Sequence, residues 1–572
     1  MCIRDSTNTV RPVHKTNGAS KEGGLEITAR DCIRLVFISS LSAAWLLVAS
    51  GCSLLKKRNQ VDLGVVYDEL AQLPDYQRNP VIVVPGILGS RLVDKETGDV
   101  TWGEMGPSGA SPLRTRSLTE LALPMRVGVP LHQLHDQVHS DGPLDQITFK
   151  FYGIPIRVNA YAQILASLGV GGYRDRNFRG SSGSNQVDYG DEHFTCFQFS
   201  YDWRRDISET AAELDRFIEE ADAYTRQQYR ERYGIENADI QFDIVAHSMG
   251  GLVTRYYLRY GSQILPDDGS APELTWAGAN KVGRAILVGT PNAGSTKSIH
   301  EMKDGMRLAR PLPKFPPAVI GTMPAVYQLL PRTRNQALTK ATGEVLDVLD
   351  PNIWSQLKWG LADPKQDRQL KKLLPNTTNA NQRRRIALEH QFKCLVRARQ
   401  FHDSIDIPAA LPPGLEMHLY AGDAIETLDS LVADLRTGKI TEEKMAAGDG
   451  TVARTSAVSE ERDADGIRRN IPWDSKTFLS SDHIGLTRDR TFVDNVLSRL
   501  LEHPVPSMID LAAPIGHDWS QEDGVVTSDV PSDWLLHLPL AVPEPPREQP
   551  PVDLLQPEPI PKSFSKLLLE LE

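Results

Sequence analysis

An α/β fold built on a mostly parallel central sheet is expected from three features of this 572-residue chain. Short apolar runs rich in Val and Ile alternate with longer segments of helical period, as doubly buried strands and their covering helices do. One such run, Asp243 to Val245, leads through Ala246-His-Ser-Met-Gly-Gly251 into a helical pattern carried by Leu252, Val253, Tyr256 and Tyr257. Another, Pro80 to Val84, enters the tight turn Pro85-Gly-Ile-Leu-Gly89. A hydrophobic share of 40% with nine Trp is ample for a large core. The formal charge of −11 offers no basic stripe for phosphate backbones, which argues against nucleic acid as a partner.

The elements follow in order. Residues 1–6, Met-Cys-Ile-Arg-Asp-Ser, read as translated sequencing-adaptor DNA and are set aside from fold reasoning. Residues 7–51 contain a secretory signal pattern: Arg30 and Arg34 precede an uncharged apolar run from Leu35 to Gly51. Cys52, placed directly after Val-Ala-Ser-Gly51, resembles the acylated cysteine of a bacterial lipoprotein. Lipidation of Cys52, and a place in the bacterial cell envelope facing the periplasm or the outside, are therefore expected. The rival readings are an ordinary signal peptide and an uncleaved anchor, for which the run is at the lower length limit. Residues 52–79, polar and mixed in charge, are expected to form a tether.

A single catalytic-type domain is expected over 80–502. Its excursion at about 91–150 lacks clear periodicity and reads as a lid. A helix is expected from Asn159 to Leu168, a strand from Phe194 to Tyr201 and a long helix from Ser208 to Tyr233. In that helix Ala211, Leu214, Phe217, Ile218, Ala221 and Tyr224 keep the 3.6-residue period. After the strand Arg284–Thr290 the alternation stops, and about 296–412 reads as a helical cap. Strands return at Leu415–Gly422 and Lys476–Ser480, followed by a helix from Asp489 to Leu501. Residues 503–572, with ten prolines between Pro531 and Pro561, read as an extended acidic tail. Cys196 and Cys394 do not make a disulfide framework, and a buried free thiol is the expected state of Cys196. No His/Cys cluster has metal-ligand spacing, so neither a metal nor a cofactor is expected.

The chemistry starts at Ser248. A serine on a sharp strand-to-helix turn, flanked by small residues, is the nucleophile elbow of serine esterases, here with Ala246 in place of the usual first glycine. A serine hydroxyl attacks only when a base takes its proton and an acid orients that base. In such folds the acid and then the histidine follow the serine along the chain. His483, in Leu479-Ser-Ser-Asp-His483, ends the last apolar strand and is preferred over His300, His390, His402, His418, His503, His517 and His537. His247, beside the serine, reads as structural. For the acid, Asp423 directly follows a strand, whereas Asp449 lies in the glycine-bounded turn Gly448-Asp-Gly-Thr-Val452; the residues alone leave the two nearly even. Backbone N–H groups of Ile87 and Met249 are the candidates for an oxyanion hole.

Together these motifs resemble the lecithin:cholesterol acyltransferase family, with its lysosomal phospholipase/transacylase and phospholipid:diacylglycerol acyltransferase relatives. The pieces that carry the resemblance are Val84-Pro-Gly-Ile-Leu-Gly-Ser90, Tyr201-Asp-Trp-Arg204, Ala246-His-Ser-Met-Gly250, Gly448-Asp-Gly-Thr-Val452 and Asp482-His483. The resemblance implies an α/β-hydrolase fold and a triad of Ser248, Asp449 and His483, deciding between the two acids. It also implies acyl transfer from membrane lipid esters. It is patchy over 91–150 and 296–412, and the lid disulfide of the animal enzymes has no counterpart. Esterase action on soluble esters or polyesters, and an inactive lipid- or partner-binding lipoprotein, are the alternatives.

Overall fold

A computed structural model describes residues 63–502, except 106–110, 145, 152–153, 160–161, 176–192, 308–312, 464–465 and 470, together with 508–509. The signal segment, Cys52 and nearly all of the expected tail lie outside the described residues. Among the described residues no helix is long and apolar enough to cross a membrane.

The core is a parallel sheet of six strands: β1 (Val81–Val84), β2 (Cys196–Gln198), β3 (Phe242–His247), β4 (Val282–Val288), β5 (Glu416–Gly422) and a sixth at Ser475–Leu479. Their spatial order is the sixth strand, β5, β4, β3, β1, β2, with every neighbour pair parallel. β1 and β3 are in register from Val81 opposite Asp243 to Val84 opposite Ala246. Every residue of β1, β3 and β4 is buried, as expected of β-branched strands covered on both faces. The helices include α1 (Leu63–Ala71), α2 (Ile207–Tyr233), α3 (Met249–Tyr260), α4 (Thr296–Asp304), α5 (Ala380–Ile405) and α6 (Arg490–Leu497). α2 begins where Asp206 accepts the Ser208 N–H and ends at Gly234, whose φ of 68° suits a helix stop. This strand order, with the serine turn at the end of β3, is an α/β-hydrolase fold.

Some expectations needed correction. The expected tether through residue 79 is folded onto the body from Leu63: Tyr67 is buried and its hydroxyl donates to Asp494 Oδ1 at 3.1 Å. The charged look of this stretch hides a buried ion cluster. Asp75 meets His193 Nε2 at 2.9 Å, Arg78 at 3.5 Å and Arg174, while Tyr229 donates to its carbonyl at 3.0 Å. The Phe194–Tyr201 run forms a strand only over Cys196–Gln198, because the chain then turns inward and buries Tyr201 and Trp203. The 91–150 excursion contains real strands, with Ser90–Asp94 pairing with both Val100–Trp102 and Val138–Pro143. Of the described residues in the expected tail, Met508–Ile509 pairs antiparallel with Ala238–Asp239.

Between β5 and the sixth sheet strand lies an unexpected hairpin, β6 (Ile425–Asp434) and β7 (Lys439–Gly448). The sixth sheet strand is β8 in chain order. β7 is almost wholly exposed and reads Lys-Ile-Thr-Glu-Glu-Lys-Met-Ala-Ala-Gly, which is why its strand character is hidden in the sequence. Cys196 and Cys394 are both buried free thiols.

The Asp75 cluster generates a stability prediction. Burial opposes the charge of Asp75, but His193, Arg174 and Arg78 outweigh it and hold the carboxyl below its ordinary 3.8. Its folded value lies below its unfolded one, so its contribution is present near neutrality and is lost as the pH falls through that depressed value. Asp75→Ala would leave Arg78, 4% exposed, without its counter-charge. It should cost about 3 kcal/mol in urea unfolding at pH 7. The gap between variant and parent should narrow below about pH 4.

Candidate active site

The turn from β3 to α3 is built around one strained residue. Ser248 has φ 54° and ψ −127°, a backbone region that non-glycine residues avoid. Its N–H donates to Val288 O at 2.8 Å, which ties the strained residue to β4. Small neighbours make the close approach possible. A Cβ on Gly250 would lie 2.5 Å from the carbonyl oxygens of Val84 and Pro85, and one on Gly251 would lie 2.0 Å from Thr290 Oγ1. A Cβ on Gly86 would sit 2.7 Å from Ser248 Cβ. Strand β1, the Pro85–Gly86 turn and α3 therefore close on the serine without side chains between them.

The structure brings Ser248, His483 and Asp449 together. His483 Nε2 lies 2.9 Å from Ser248 Oγ, and its Nδ1 lies 2.8 Å from Asp449 Oδ2. With the imidazole proton on Nδ1, that nitrogen donates to the carboxylate and Nε2 accepts from the serine hydroxyl. Asp449 is 2% exposed. Its Oδ1 accepts the N–H groups of Thr451 (2.9 Å) and Val452 (2.7 Å), and the His483 N–H donates to its carbonyl at 2.9 Å. Burial pushes the Asp449 carboxyl up, but His483 and the two amides win and hold it below the ordinary range. Asp449 thus stays ionised while its second oxygen faces the imidazole. Gly289, at φ 58°, leaves space for this pair: a Cβ there would meet His483 Nδ1 at 3.2 Å and Asp449 Oδ2 at 3.3 Å.

Asp423 is elsewhere. It sits at the start of the hairpin, and Arg454 lies 3.3 Å from its Oδ2. The chain leaves the sheet there, runs out along β6 and returns along β7. Asp449 then stands beside Gly422, close enough that a Cβ on Gly422 would come within 2.6 Å of Asp449 Cβ. The competing histidines among the described residues are held by other groups. His300 faces Asp304 and Glu443, His390 the Thr322 carbonyl, His402 the Gln328 carbonyl, and His418 both Glu416 and Ser475. His503, His517 and His537 lie outside the described residues.

His247 has a more specific place than packing. Its Nε2–H donates to the backbone carbonyl of His483 at 2.9 Å, and the two rings lie 4.9 Å apart. Burial, reinforced by the neighbouring His483, pushes its pKa down to about 3, so it is a neutral donor at any working pH. The identity of this partner is invisible in sequence, since 235 residues separate His483 from the serine turn.

Of the two oxyanion candidates, Met249 opens α3, where first-turn amides lack helical acceptors. Ile87 stands in the turn closed by Gly89 N–H on Gly86 O at 3.1 Å, next to the glycine that faces Ser248. Cys52, the candidate lipidation site, lies outside the described residues.

The two acids are separable in solution. Asp449→Asn should slow the reaction of Ser248 with a fluorophosphonate by roughly a thousandfold or more, since the imidazole would lose its orienting anion. Asp423→Asn should leave the labelling rate within about twofold, measured by intact-protein mass spectrometry over time.

Residues 184–415 match the family model described as Lecithin:cholesterol acyltransferase. No curated protein matches the chain in sequence. Among solved structures, a chain of the crystal structure of the Tle4–Tli4 complex aligns at 16% identity with a TM-score of 0.45, covering 74% of this chain and 98% of that one. Phospholipase PlaB from Legionella pneumophila aligns at 10% identity with a TM-score of 0.26, covering 54% of this chain and 55% of its own. Both superpositions are too loose to carry weight, and the fold stands on the strand order and the serine turn. The family match supports lipid acyl hydrolase or acyltransferase chemistry. Residues 184–415 are thus similar to the lecithin:cholesterol acyltransferase family, in a chain whose central sheet is that of an α/β hydrolase.

Proposed function

We propose that the protein is a serine-dependent lipid acyl hydrolase or O-acyltransferase that acts on glycerophospholipids or related lipid esters through an acyl-enzyme. The observation that carries this reading is the unbroken relay from Ser248 Oγ through His483 to the buried, ionised Asp449. Ser248 Oγ attacks the ester carbonyl while His483 Nε2 takes its proton, and Asp449 stabilises the resulting imidazolium. The negative charge on the former carbonyl oxygen is met by the Ile87 and Met249 N–H groups. As the tetrahedral species collapses, the ester C–O bond breaks and His483 returns the proton to the departing lysolipid oxygen. Water or a lipid alcohol then attacks the acyl-serine, giving up its proton to His483, which passes it to Ser248 as the acyl group leaves.

Membrane attachment belongs to the same proposal. A cleaved apolar segment over 7–51 and acylation of Cys52 would hold the enzyme at the envelope surface, beside its substrate. Lipid anchoring of this kind needs more than one acyl chain, which a lipoprotein N-terminus supplies. The 91–150 lid and the 296–412 cap are then the segments that select the lipid.

The test uses purified protein and phospholipid vesicles containing a sterol and a long-chain alcohol, with products read by mass spectrometry. Free fatty acid and lysolipid are expected, and both should vanish in Ser248→Ala. Sterol or alcohol esters in addition would make the enzyme a transferase. Product formation that survives Ser248→Ala would overturn the reading. Turnover confined to soluble esters would keep the mechanism and replace the substrate class.

A further inference from the structure

We propose that Tyr201 and Trp102 are positioning residues that hold the oxyanion turn Pro85–Leu88 in its donating geometry. The inference rests on the serine-acyl-enzyme reading above and deepens it. The turn is strained. Leu88 has φ 68°, the left-handed value that the third residue of a type II turn requires and that glycine usually supplies. Ile87 is the second residue of the same turn, and among the described residues its N–H donates no hydrogen bond. An orphan amide in a turn partly shielded from water is costly unless something else uses it. The Gly86 position directly faces Ser248, so the amide one residue on is placed to meet charge developing beside Oγ.

A turn of this kind needs external restraint, and two buried side chains supply it. The Tyr201 hydroxyl donates to Pro85 O at 2.7 Å, fixing the plane of the peptide that enters Gly86. The Tyr201 N–H in turn donates to Ser90 Oγ at 3.0 Å, at the far end of the turn. The Trp102 indole Nε1–H donates to Leu88 O at 3.0 Å, which holds the strained residue itself. Both side chains are 0% exposed. Trp102 packs edge-to-face on Trp203, with ring centroids 5.2 Å apart, so the two restraints support one another. Neither residue reaches the reacting atoms, and both act through the backbone that presents Ile87.

The restraint comes from two segments distant in the chain. Tyr201 belongs to the core segment after β2, and Trp102 to the strand Val100–Trp102 of the lid. The lid therefore contributes directly to the geometry of the oxyanion turn.

The experiment compares the full chain with Tyr201→Phe and Trp102→Phe. Four readings are taken: kcat and KM on a phospholipid, affinity for an alkyl boronic acid, affinity for a non-hydrolysable ether lipid, and thermal midpoint. The boronic acid forms a tetrahedral adduct on Ser248 with an oxygen at the oxyanion position, whereas the ether lipid reports ground-state binding alone. Each variant should lose about tenfold in kcat and a similar factor in boronate affinity, with KM and ether-lipid affinity unchanged. A loss of kcat without a loss of boronate affinity, or a loss spread equally over boronate and ether lipid, would overturn the proposal. So would parental kcat in both variants. If Tyr201→Phe fails to fold, the same comparison in Trp102→Phe decides. Failure of the underlying serine mechanism is read separately, as activity that persists in Ser248→Ala.

Discussion

The approach of backbone to backbone at the end of β3 is the constraint from which the rest of the site follows. Ser248 is held at φ 54°, ψ −127°, and that conformation places its hydroxyl where the sheet ends rather than in the sheet. Such a turn costs of order 1–3 kcal/mol and persists only where its surroundings over-determine it. Here the surroundings are β1, β4 and the entire buried length of α3, packed through Gly86, Gly250 and Gly251. None of these glycines could carry a Cβ without displacing backbone, the serine or Thr290. The stability invested in the fully buried central strands β1, β3 and β4 therefore holds a single hydroxyl in an otherwise unfavourable place.

A second consequence concerns the base. The β8–α6 loop carries His483, whose imidazole must point at a fixed oxygen. Three anchors hold it: the Asp449 carboxylate on the ring, the Asp449 carbonyl on the backbone N–H, and His247 on the backbone carbonyl. His247 sits next to Ser248 in the chain, so the nucleophile's own strand positions the base. Its depressed pKa matters here, because a neutral ring beside His483 adds no repulsion when the His483 ring takes up a proton.

Much of this arrangement was legible in the sequence because the central strands are buried on both faces. Runs such as Val81–Val84 and Ala285–Val288 have no polar side to confuse the reading, and the Ser-Met-Gly-Gly turn has few structural alternatives. What escaped were elements defined by partners far away in the chain. The hairpin strand β7 is exposed and charged, so its pairing with β6 leaves no period-2 apolar signal. The helix Leu63–Ala71 passed as tether because the buried ion cluster around Asp75 looks solvated until Arg174 and His193 are seen against it. Likewise the Tyr201-Asp-Trp-Arg204 segment stood out as a pattern without a visible role. In the fold each side chain fastens something: Tyr201 the Pro85 carbonyl, Trp203 the lid's Trp102, and Arg204 both Asp202 and Asp136 with the carbonyls of Glu120 and Leu121.

The missed hairpin also explains why two aspartates competed so evenly for one position. Asp423 occupies the place directly after a central strand, but the chain does not stop there to deliver a carboxylate. It continues along β6 to a tip where Trp359 Nε1–H donates to Gly438 O at 2.8 Å and Gly438 presses against the Leu357 carbonyl, then returns along β7. At the return, Thr427 of β6 accepts the Gly450 N–H at 2.7 Å and pins the turn that exposes Asp449. The acid is therefore supported from the outer end by the cap and from the inner end by the sheet. A carboxylate at Asp423 would have had only the sheet behind it and solvent in front, where it is instead partnered by Arg454. The same hairpin therefore carries the acid at its inner end and rests on Trp359 at its outer end.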